Sequence, residues 1–206
     1  MPSKSIVPAL AAAGLVTFAA MGYSQPHEKG AAKDSNKNPE LRKQSIHIES
    51  PATGSGVTKA IAVMHPTKGQ KVEGTVTFTK VENGVRVQAH IHGLAAGAHG
   101  FHIHEFGDCS SPEGMSTGGH FNPEKADHAG PKTHKRHIGD LGNIEADSSG
   151  HGKYDMVDDQ LRFEGPTSII GRGLIIHEKA DDFKTQPTGN AGGRVSCGVI
   201  GVAKGS

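Results

Sequence analysis

The sequence predicts an all-β domain, either a β-sandwich or a closed barrel, and three observations support this fold class. The chain has 206 residues with 29 Gly and 11 Pro but no Trp, a composition typical of a turn-rich protein. From about Gly56 onward, apolar and polar residues alternate in short segments, which indicates strands with one buried face. Sustained helical periodicity is scarce. A chain of this length suits one domain with a core of reasonable size.

Residues 1–24 are predicted to be a secretory signal peptide. A basic amino terminus precedes the apolar run Ile6–Met21, and small residues follow it, as signal peptidase requires. The run contains Pro8 and is short for a membrane span, so an uncleaved anchor is the less favoured alternative. Cleavage is expected near Gly22 or Ser24.

Residues 25–55 are predicted to be a flexible polar linker that leads into a folded domain over residues 56–206. The linker is rich in Lys, Asn, Glu, Gln and Ser and has few groups that can nucleate a core. Because its basic residues are interleaved with acidic ones, binding of this segment to a polyanion is the less favoured alternative. The formal net charge of the whole chain is +1, which gives no general electrostatic argument for binding to nucleic acid.

The first three strands are predicted to form an antiparallel meander. Apolar and polar residues alternate through residues 57–65, 71–81 and 85–94. The turn signal Glu82-Asn83-Gly84 separates the second strand from the third. A further strand is expected where "AHGFHIH" alternates over residues 98–104.

Later strands are predicted at residues 154–159, 168–178 and 194–203, of which the last two are apolar enough to lie in the core. Two long glycine-rich connections, over residues 105–142 and 179–193, separate these segments. Structureless loops of that length are uncommon inside compact domains and are usually functional. The functional site is therefore expected on these two loops.

The chain contains two cysteines, Cys109 and Cys197. In an exported protein the simplest interpretation is that they form a disulfide, because the compartment is oxidising. Two free buried thiols are the less favoured alternative.

Histidine is the outlier of the composition, because 14 copies exceed what packing requires and imidazole is the commonest metal-ligating side chain. Successive residues of a strand face opposite ways, so His102 and His104 are predicted to point together while Phe101 and Ile103 point into the core. His99 has the opposite parity to His102, which favours a hydrogen-bonded structural role. The other histidines are predicted to lie at the surface, with His134 the less favoured candidate for an additional ligand: His27, His47, His65, His90, His92, His134 and His151.

A metal centre is predicted where the strand at residues 98–104 meets the first long loop and the end of a later strand. The further ligand candidates are His120, His128, His137, Asp140 and His177. Together with His102 and His104 there are too many candidates for one ion and one too few for two separate four-coordinate sites. An imidazole that binds two ions through its two nitrogens would make up the deficit, and the spacing does not say which histidine bridges. All-nitrogen ligands suit Cu(II), and a tetrahedral set with one carboxylate suits Zn(II).

Long motifs in this order resemble the signatures of the copper-zinc superoxide dismutase family, and the resemblance runs from about Val57 to Ala203. The motifs are "GFHIHEFGD", "GGHFNP", "HIGDLGN", "SIIGRGLIIHEKADD" and "GNAGGRVSCGVIGVA". The resemblance implies an immunoglobulin-like Greek-key β-sandwich or barrel with two long functional loops. These are a zinc and disulfide loop and an electrostatic loop.

The resemblance also implies the role of each site residue. It assigns the copper ligands as His102, His104, His120 and His177, and the zinc ligands as His120, His128, His137 and Asp140. His120 would be the bridging imidazolate and proton donor, and Arg194 the cation beside the copper channel. Asp181 would orient His102 and His128, and Cys109 and Cys197 would form the disulfide of the family.

The implied function is conversion of superoxide to oxygen and hydrogen peroxide by alternating reduction and reoxidation of copper, with zinc structural. One copper and one zinc ion per subunit, a homodimer, no nucleic acid and no stable membrane insertion after signal cleavage are expected. The location would be the periplasm or the extracellular space. The alternatives are a copper store or chaperone without turnover, and an interaction module whose tail binds a surface polyanion.

One segment departs from the family pattern. The loop "ADDFKTQPTGN" is short, and Pro187 stands where some relatives have lysine. Attraction of the anionic substrate is therefore expected to depend mainly on Arg194, with Lys184 only a possible helper.

Overall fold

The computed structural model describes residues 56–204. The predicted signal peptide and the whole predicted linker, residues 1–55, lie outside the described residues. Within residues 56–204, no helix has the length and apolar character needed to span a bilayer.

The described residues form nine strands and one turn of 3-10 helix, at Met115–Thr117. The strands are β1 Lys59–Pro66, β2 Glu73–Val81, β3 Gly84–His92, β4 Gly97–His104, β5 Asp140–Ala146, β6 Gly152–Asp158, β7 Gly173–His177, β8 Arg194–Val199 and β9 Gly201–Val202. The all-β prediction is confirmed.

Eight of these strands close into an antiparallel barrel. They follow the order β2-β3-β6-β5-β4-β7-β8-β1, and pairing of β1 with β2 closes the ring. The two-residue β9 adds to β1. Because β6 and β5 lie between β3 and β4, the chain crosses over after β3, which is a Greek-key connection. Of the two predicted architectures, the closed barrel is the one observed.

The first meander forms as its alternating pattern predicts. In β3 the apolar residues Val85, Val87, Ala89 and Ile91 are buried while the residues between them face outward. The hairpin pairs Val81 with Gly84 across a two-residue turn. Burial of this apolar face against the barrel interior fixes the register, since a one-residue slip would expose all of it.

The predicted connection over residues 105–142 was wrong at its carboxyl end, because β5 begins at Asp140. Its first residues, "DLGN", are weak strand formers, and Gly142 has φ +90°. Pairing with β4 nevertheless places Leu141 and Ile144 in the core, with both side chains fully buried. The predicted strand at 168–178 was also too long, since β7 begins at Gly173.

Strand β4 lies between the core and the two long loops. Phe101 and Ile103 belong to the hydrophobic core, as predicted. His102 and His104 are fully buried as well, but they lie against loop residues instead of core side chains. The barrel thereby provides a rigid platform on which the loops assemble a buried polar site.

Candidate metal centre

Four histidines from three parts of the chain converge beside β4. His102 and His104 come from β4, His177 ends β7, and His120 reaches the group through an isolated bridge to His104. Each offers a ring nitrogen, and these nitrogens all lie within 4.8 Å of one another. All four side chains are buried.

Each ring of this first group has one buried nitrogen without a hydrogen-bond partner, and these atoms are His102 Nδ1, His104 Nε2, His120 Nε2 and His177 Nε2. The opposite nitrogen of each ring is occupied. His104 Nδ1 donates to the carbonyl oxygen of Gly118 at 3.0 Å, and His177 Nδ1 donates to that of Gly192 at 3.2 Å. A carbonyl oxygen only accepts, so the neutral rings carry their lone pairs on the unpartnered nitrogens. Such an all-nitrogen set suits Cu(II).

A second group consists of His120, His128, His137 and Asp140. Asp140 Oδ1 lies 2.8 Å from His120 Nδ1, 3.0 Å from His128 Nδ1 and 3.2 Å from His137 Nδ1. The other carboxylate oxygen, Oδ2, accepts backbone N–H bonds from Ala129 at 3.1 Å and His137 at 3.0 Å. Three imidazoles and one carboxylate are a ligand set that suits Zn(II).

Among the described residues, His120 is the one that belongs to both groups. Its Nε2 is the unpartnered atom of the first group, and its Nδ1 faces Asp140 in the second. One imidazole ring therefore spans the two groups.

Asp181 connects the groups from the second long loop, residues 179–193. Its Oδ2 accepts a hydrogen bond from His102 Nε2 at 2.8 Å, and its Oδ1 accepts one from His128 Nε2 at 2.9 Å. These bonds leave Nδ1 of both rings as the coordinating atom and fix the ring orientation. Gly189 packs so closely that a Cβ there would overlap the Asp181 carboxylate, and its φ of +66° also favours glycine.

Burial keeps the first group neutral. It lowers the pKa of His104 and His177 well below the ordinary value, and neighbouring histidines lower it further. Burial, together with repulsion from His102, lowers the pKa of His120 to about 4. Neutral imidazole is the form that binds a metal ion.

In the second group, contacts between carboxylates and histidines determine the direction of the pKa shifts. Burial alone would lower the pKa of His128, but hydrogen bonds to Asp140 and Asp181 raise it to about 9. Burial alone would raise the pKa of Asp140, but hydrogen bonds from three histidines hold it well below its usual range. The second group therefore favours a positive charge, which a divalent cation supplies.

Arg194 begins β8 and ties down the first long loop. One guanidinium nitrogen donates to the Gly114 carbonyl and to Thr117 Oγ1, both at 2.7 Å, and the other donates to the Gly118 carbonyl at 2.7 Å. Gly118 also accepts from His104, so Arg194 braces the carbonyl that orients this ring. Its positive charge contributes to the lowered pKa of His104 and His177.

The cysteines also fasten this loop to β8. Cys109 and Cys197 form a disulfide with Cα atoms 5.9 Å apart, which confirms the predicted bond. In β8, Cys197 lies three positions after Arg194. Two attachments therefore hold the start of the loop to the same strand.

Two other anchors were missed by the sequence analysis. The amide of Gln186 binds the backbone of His128. Arg136, only 1% exposed, donates to the carbonyl oxygens of His137 at 2.8 Å and Ile138 at 3.1 Å and pairs with Asp158. No sequence spacing indicates the long-range partners, because Gln186 lies 58 positions from His128 and Arg136 lies 22 positions from Asp158.

A surface opening of about 450 Å³ reaches His120 and His137. Lys125 lines it, whereas Lys184, the cation considered from sequence, does not. The lining residues are Glu105, Gly119, His120, Asn122, Lys125, His137, Pro187 and Thr188.

The remaining histidines behave as predicted where the structure describes them. His99 Nδ1 lies 2.9 Å from the carbonyl oxygen of His177, and its Nε2 lies 2.9 Å from that of Ala95, which confirms a hydrogen-bonded structural role. His134 is exposed and belongs to neither group. The others are also exposed, namely His65, His90, His92 and His151. His27 and His47 lie outside the described residues.

The chain is similar to known proteins both in sequence and in structure. The sequence model of the family described as copper/zinc superoxide dismutase matches residues 72–200. An extracellular superoxide dismutase [Cu-Zn] of Drosophila melanogaster is 46% identical over 140 residues, which cover 64% of this chain and 77% of that protein. A crystal structure described as that of the clock protein EA4 is 47% identical, with a TM-score of 0.67, and the match covers 73% of this chain and 98% of that one.

Proposed function

Because the chain belongs to the copper/zinc superoxide dismutase family, we propose that its two histidine groups hold copper and zinc and that it converts superoxide to oxygen and hydrogen peroxide. The observation that carries this proposal is the set of four buried ring nitrogens, one per histidine of the first group, that have no hydrogen-bond partner. A buried polar atom without a partner is costly. Coordination of a metal ion would satisfy all four.

The first group would hold copper and the second zinc. His102, His104, His120 and His177 offer nitrogen only, whereas the second group adds a carboxylate to His120, His128 and His137. This division matches the preferences of Cu(II) and Zn(II). His120, which belongs to both groups, would be the ligand that the two ions share. One ion of each kind per subunit follows.

When bound, copper supplies the one-electron chemistry that lets one superoxide be oxidised to oxygen and the next be reduced to peroxide, whereas zinc has no accessible redox state. The chain's own residues would supply protons and would position the substrate. His120 Nε2 would take up a proton and give it to the peroxide that leaves.

Substrate attraction would depend on a few cations. Arg194 is half-buried and close enough to lower the pKa of two histidines of the first group, so its charge would also attract an anion there. The bracing contacts of Arg194 with the loop are compatible with this docking role. Lys125 would add to the attraction because it lines the opening, whereas Lys184 does not.

We also propose that the protein is exported and forms a homodimer. A predicted signal peptide and an extracellular relative support export to the periplasm or the extracellular space. Exposed apolar side chains support self-association, because Phe106 is 57%, Val199 42% and Val202 60% exposed. A molar mass measured by light scattering at twice that of the mature chain would support the dimer.

The decisive experiment is superoxide decay measured on protein whose copper and zinc contents have both been determined. We expect decay far above that of the metal-free protein. Loaded protein without activity would favour a copper store or chaperone instead. Arg194→Ala should retain both metals but lower the rate and its dependence on salt, whereas Arg86→Ala, an exposed arginine of β3, should change neither. An unchanged rate and salt dependence in Arg194→Ala would refute the docking role.

A further inference from the structure

A row of four ionisable side chains crosses the outside of the barrel, away from the buried groups. Glu73 of β2 lies directly opposite His92 of β3. On the other side of His92, the ring of His151 stands 5.0 Å away, measured between centroids, at an angle of 86°. Asp147 follows, with a carboxylate oxygen 3.9 Å from His151 Nδ1. The order across the surface is carboxylate, imidazole, imidazole, carboxylate.

The spacing of the two rings matches that of the histidines in the buried groups. Ring centroids there are 4.9 Å apart for His102 and His177, and 5.5 Å apart for His128 and His137. His92 and His151, at 5.0 Å, fall within this range. Two imidazoles at this distance are close enough to share one ion.

Hydrogen bonds fix the tautomer of His151. Ser149 Oγ donates its single proton to Asp147 Oδ1 at 2.6 Å, so this hydroxyl must accept the bond from His151 Nδ1 at 2.9 Å. The Nδ1 atom of the neutral ring therefore carries the proton, and Nε2 carries the lone pair. Asp147 thus orients His151 through the Ser149 hydroxyl, and an outer partner on the opposite ring nitrogen is what metal sites use to prepare a histidine ligand.

Asp147 is ionised throughout the neutral range. The Ser149 hydroxyl and the backbone N–H of His151 lower its pKa to about 2. Its negative charge, and that of Glu73, would stabilise a cation held between the rings.

We propose that His92 and His151 form an exposed binding site for a divalent transition ion, zinc(II) or copper(II), that is separate from the two buried groups. Imidazole suits both ions, and water would complete the coordination. Neither His92 nor His151 belongs to a buried group, so the site would fill in addition to them.

The probe is Zn²⁺, titrated calorimetrically into protein that already contains its full complement of copper and zinc. We expect one further equivalent to bind. His92→Gln and His151→Gln should each weaken this binding by roughly tenfold or more, and Ser149→Ala should weaken it less. All three side chains are at the surface, so the barrel and its buried metals should be retained, which metal analysis of each variant checks.

His90→Gln is the matched control. His90 lies on the same face of β3, two residues from His92, but opposite Lys153 and Thr75, whose side chains offer no comparable ligand set. It should bind the additional Zn²⁺ as the parent does. The proposal is overturned if no further equivalent binds, if His92→Gln and His151→Gln both bind it unchanged, or if His90→Gln loses it equally.

Discussion

Gln186 holds the backbone of His128 at both of its polar groups. Its Oε1 accepts the His128 N–H at 2.8 Å, and its Nε2 donates to the His128 carbonyl oxygen at 2.8 Å. The second long loop, residues 179–193, is therefore fastened to the first at His128, a proposed zinc ligand. The short loop brings this amide into place only five residues after Asp181, which holds the ring of the same histidine.

Gln186→Ala is expected to accelerate zinc release. The substitution removes two hydrogen bonds worth about 1–3 kcal/mol together and leaves His128 oriented by its ring contacts alone. We expect release about tenfold faster or more, measured with a chromogenic chelator. Gln160→Ala is the control, because Gln160 also binds a loop carbonyl, that of His134, but touches no ligand. Equal acceleration in the two variants would contradict the role of Gln186.

Asp181→Asn is expected to weaken the binding of both metals. Each carboxylate oxygen accepts one ring N–H, from His102 and from His128, whereas an amide can accept only one and turns its NH2 group toward the other. Affinity should fall by about 10- to 100-fold for at least one metal and measurably for the second. Competition with chelators measures each metal separately. The neighbouring Asp182→Asn, which alters an exposed carboxylate that caps a local turn, should leave both affinities unchanged.

The strands that were predicted well from the sequence are those in which buried and exposed residues alternate. Strand β3 is the clearest case, since each second residue enters the core. Strand β5 was missed because Asp140 and Gly142 are poor strand formers, and tertiary pairing with β4 overrides that local preference. Local pattern predicts a strand only where its own residues favour one.

The site residues also divide into those that local sequence pattern predicts and those that it does not. Parity along β4 correctly placed His102 and His104 on one side and His99 in a structural role. Gln186 could not be found, since it lies 58 positions from the backbone it binds. Contacts of that kind depend on how two loops pack, which neither periodicity nor motif spacing encodes.

Asp158→Asn is expected to destabilise the metal-free protein strongly. Its carboxylate is the charged partner of the fully buried Arg136, and its loss would leave that guanidinium uncompensated. We expect a loss of about 3–5 kcal/mol in the free energy of unfolding, measured by urea denaturation. Asp155→Asn is the control, because the Arg86–Asp155 pair is about half exposed, with side chains 48% and 50% accessible. It should cost about 1 kcal/mol or less, and a similar loss in both variants would contradict the argument.

The metal-free protein is expected to be most stable near neutral pH and to lose stability on either side. The pKa of His120 is about 4 in the folded chain, against about 6.5 for an unperturbed histidine. Between these values the unfolded state binds more protons, so stability falls as the pH is lowered through that window. His104 and His177 act in the same direction, since burial lowers the pKa of both.

The contribution of His128 to the pH dependence of stability has the opposite sign. Its pKa is raised to about 9, so its stabilisation is complete below about pH 6.5 and is lost as the pH rises toward 9. The Tm of the metal-free protein should therefore be higher near pH 6.5 than near pH 4.5 or pH 9, conditions of roughly equal distance from neutrality. His120→Asn should reduce the acid loss, whereas His65→Asn, at an exposed position of β1, should not. A Tm that rises steadily as the pH falls from about 6.5 would refute the assignment, because it would require that protonation of the buried rings favours the folded state.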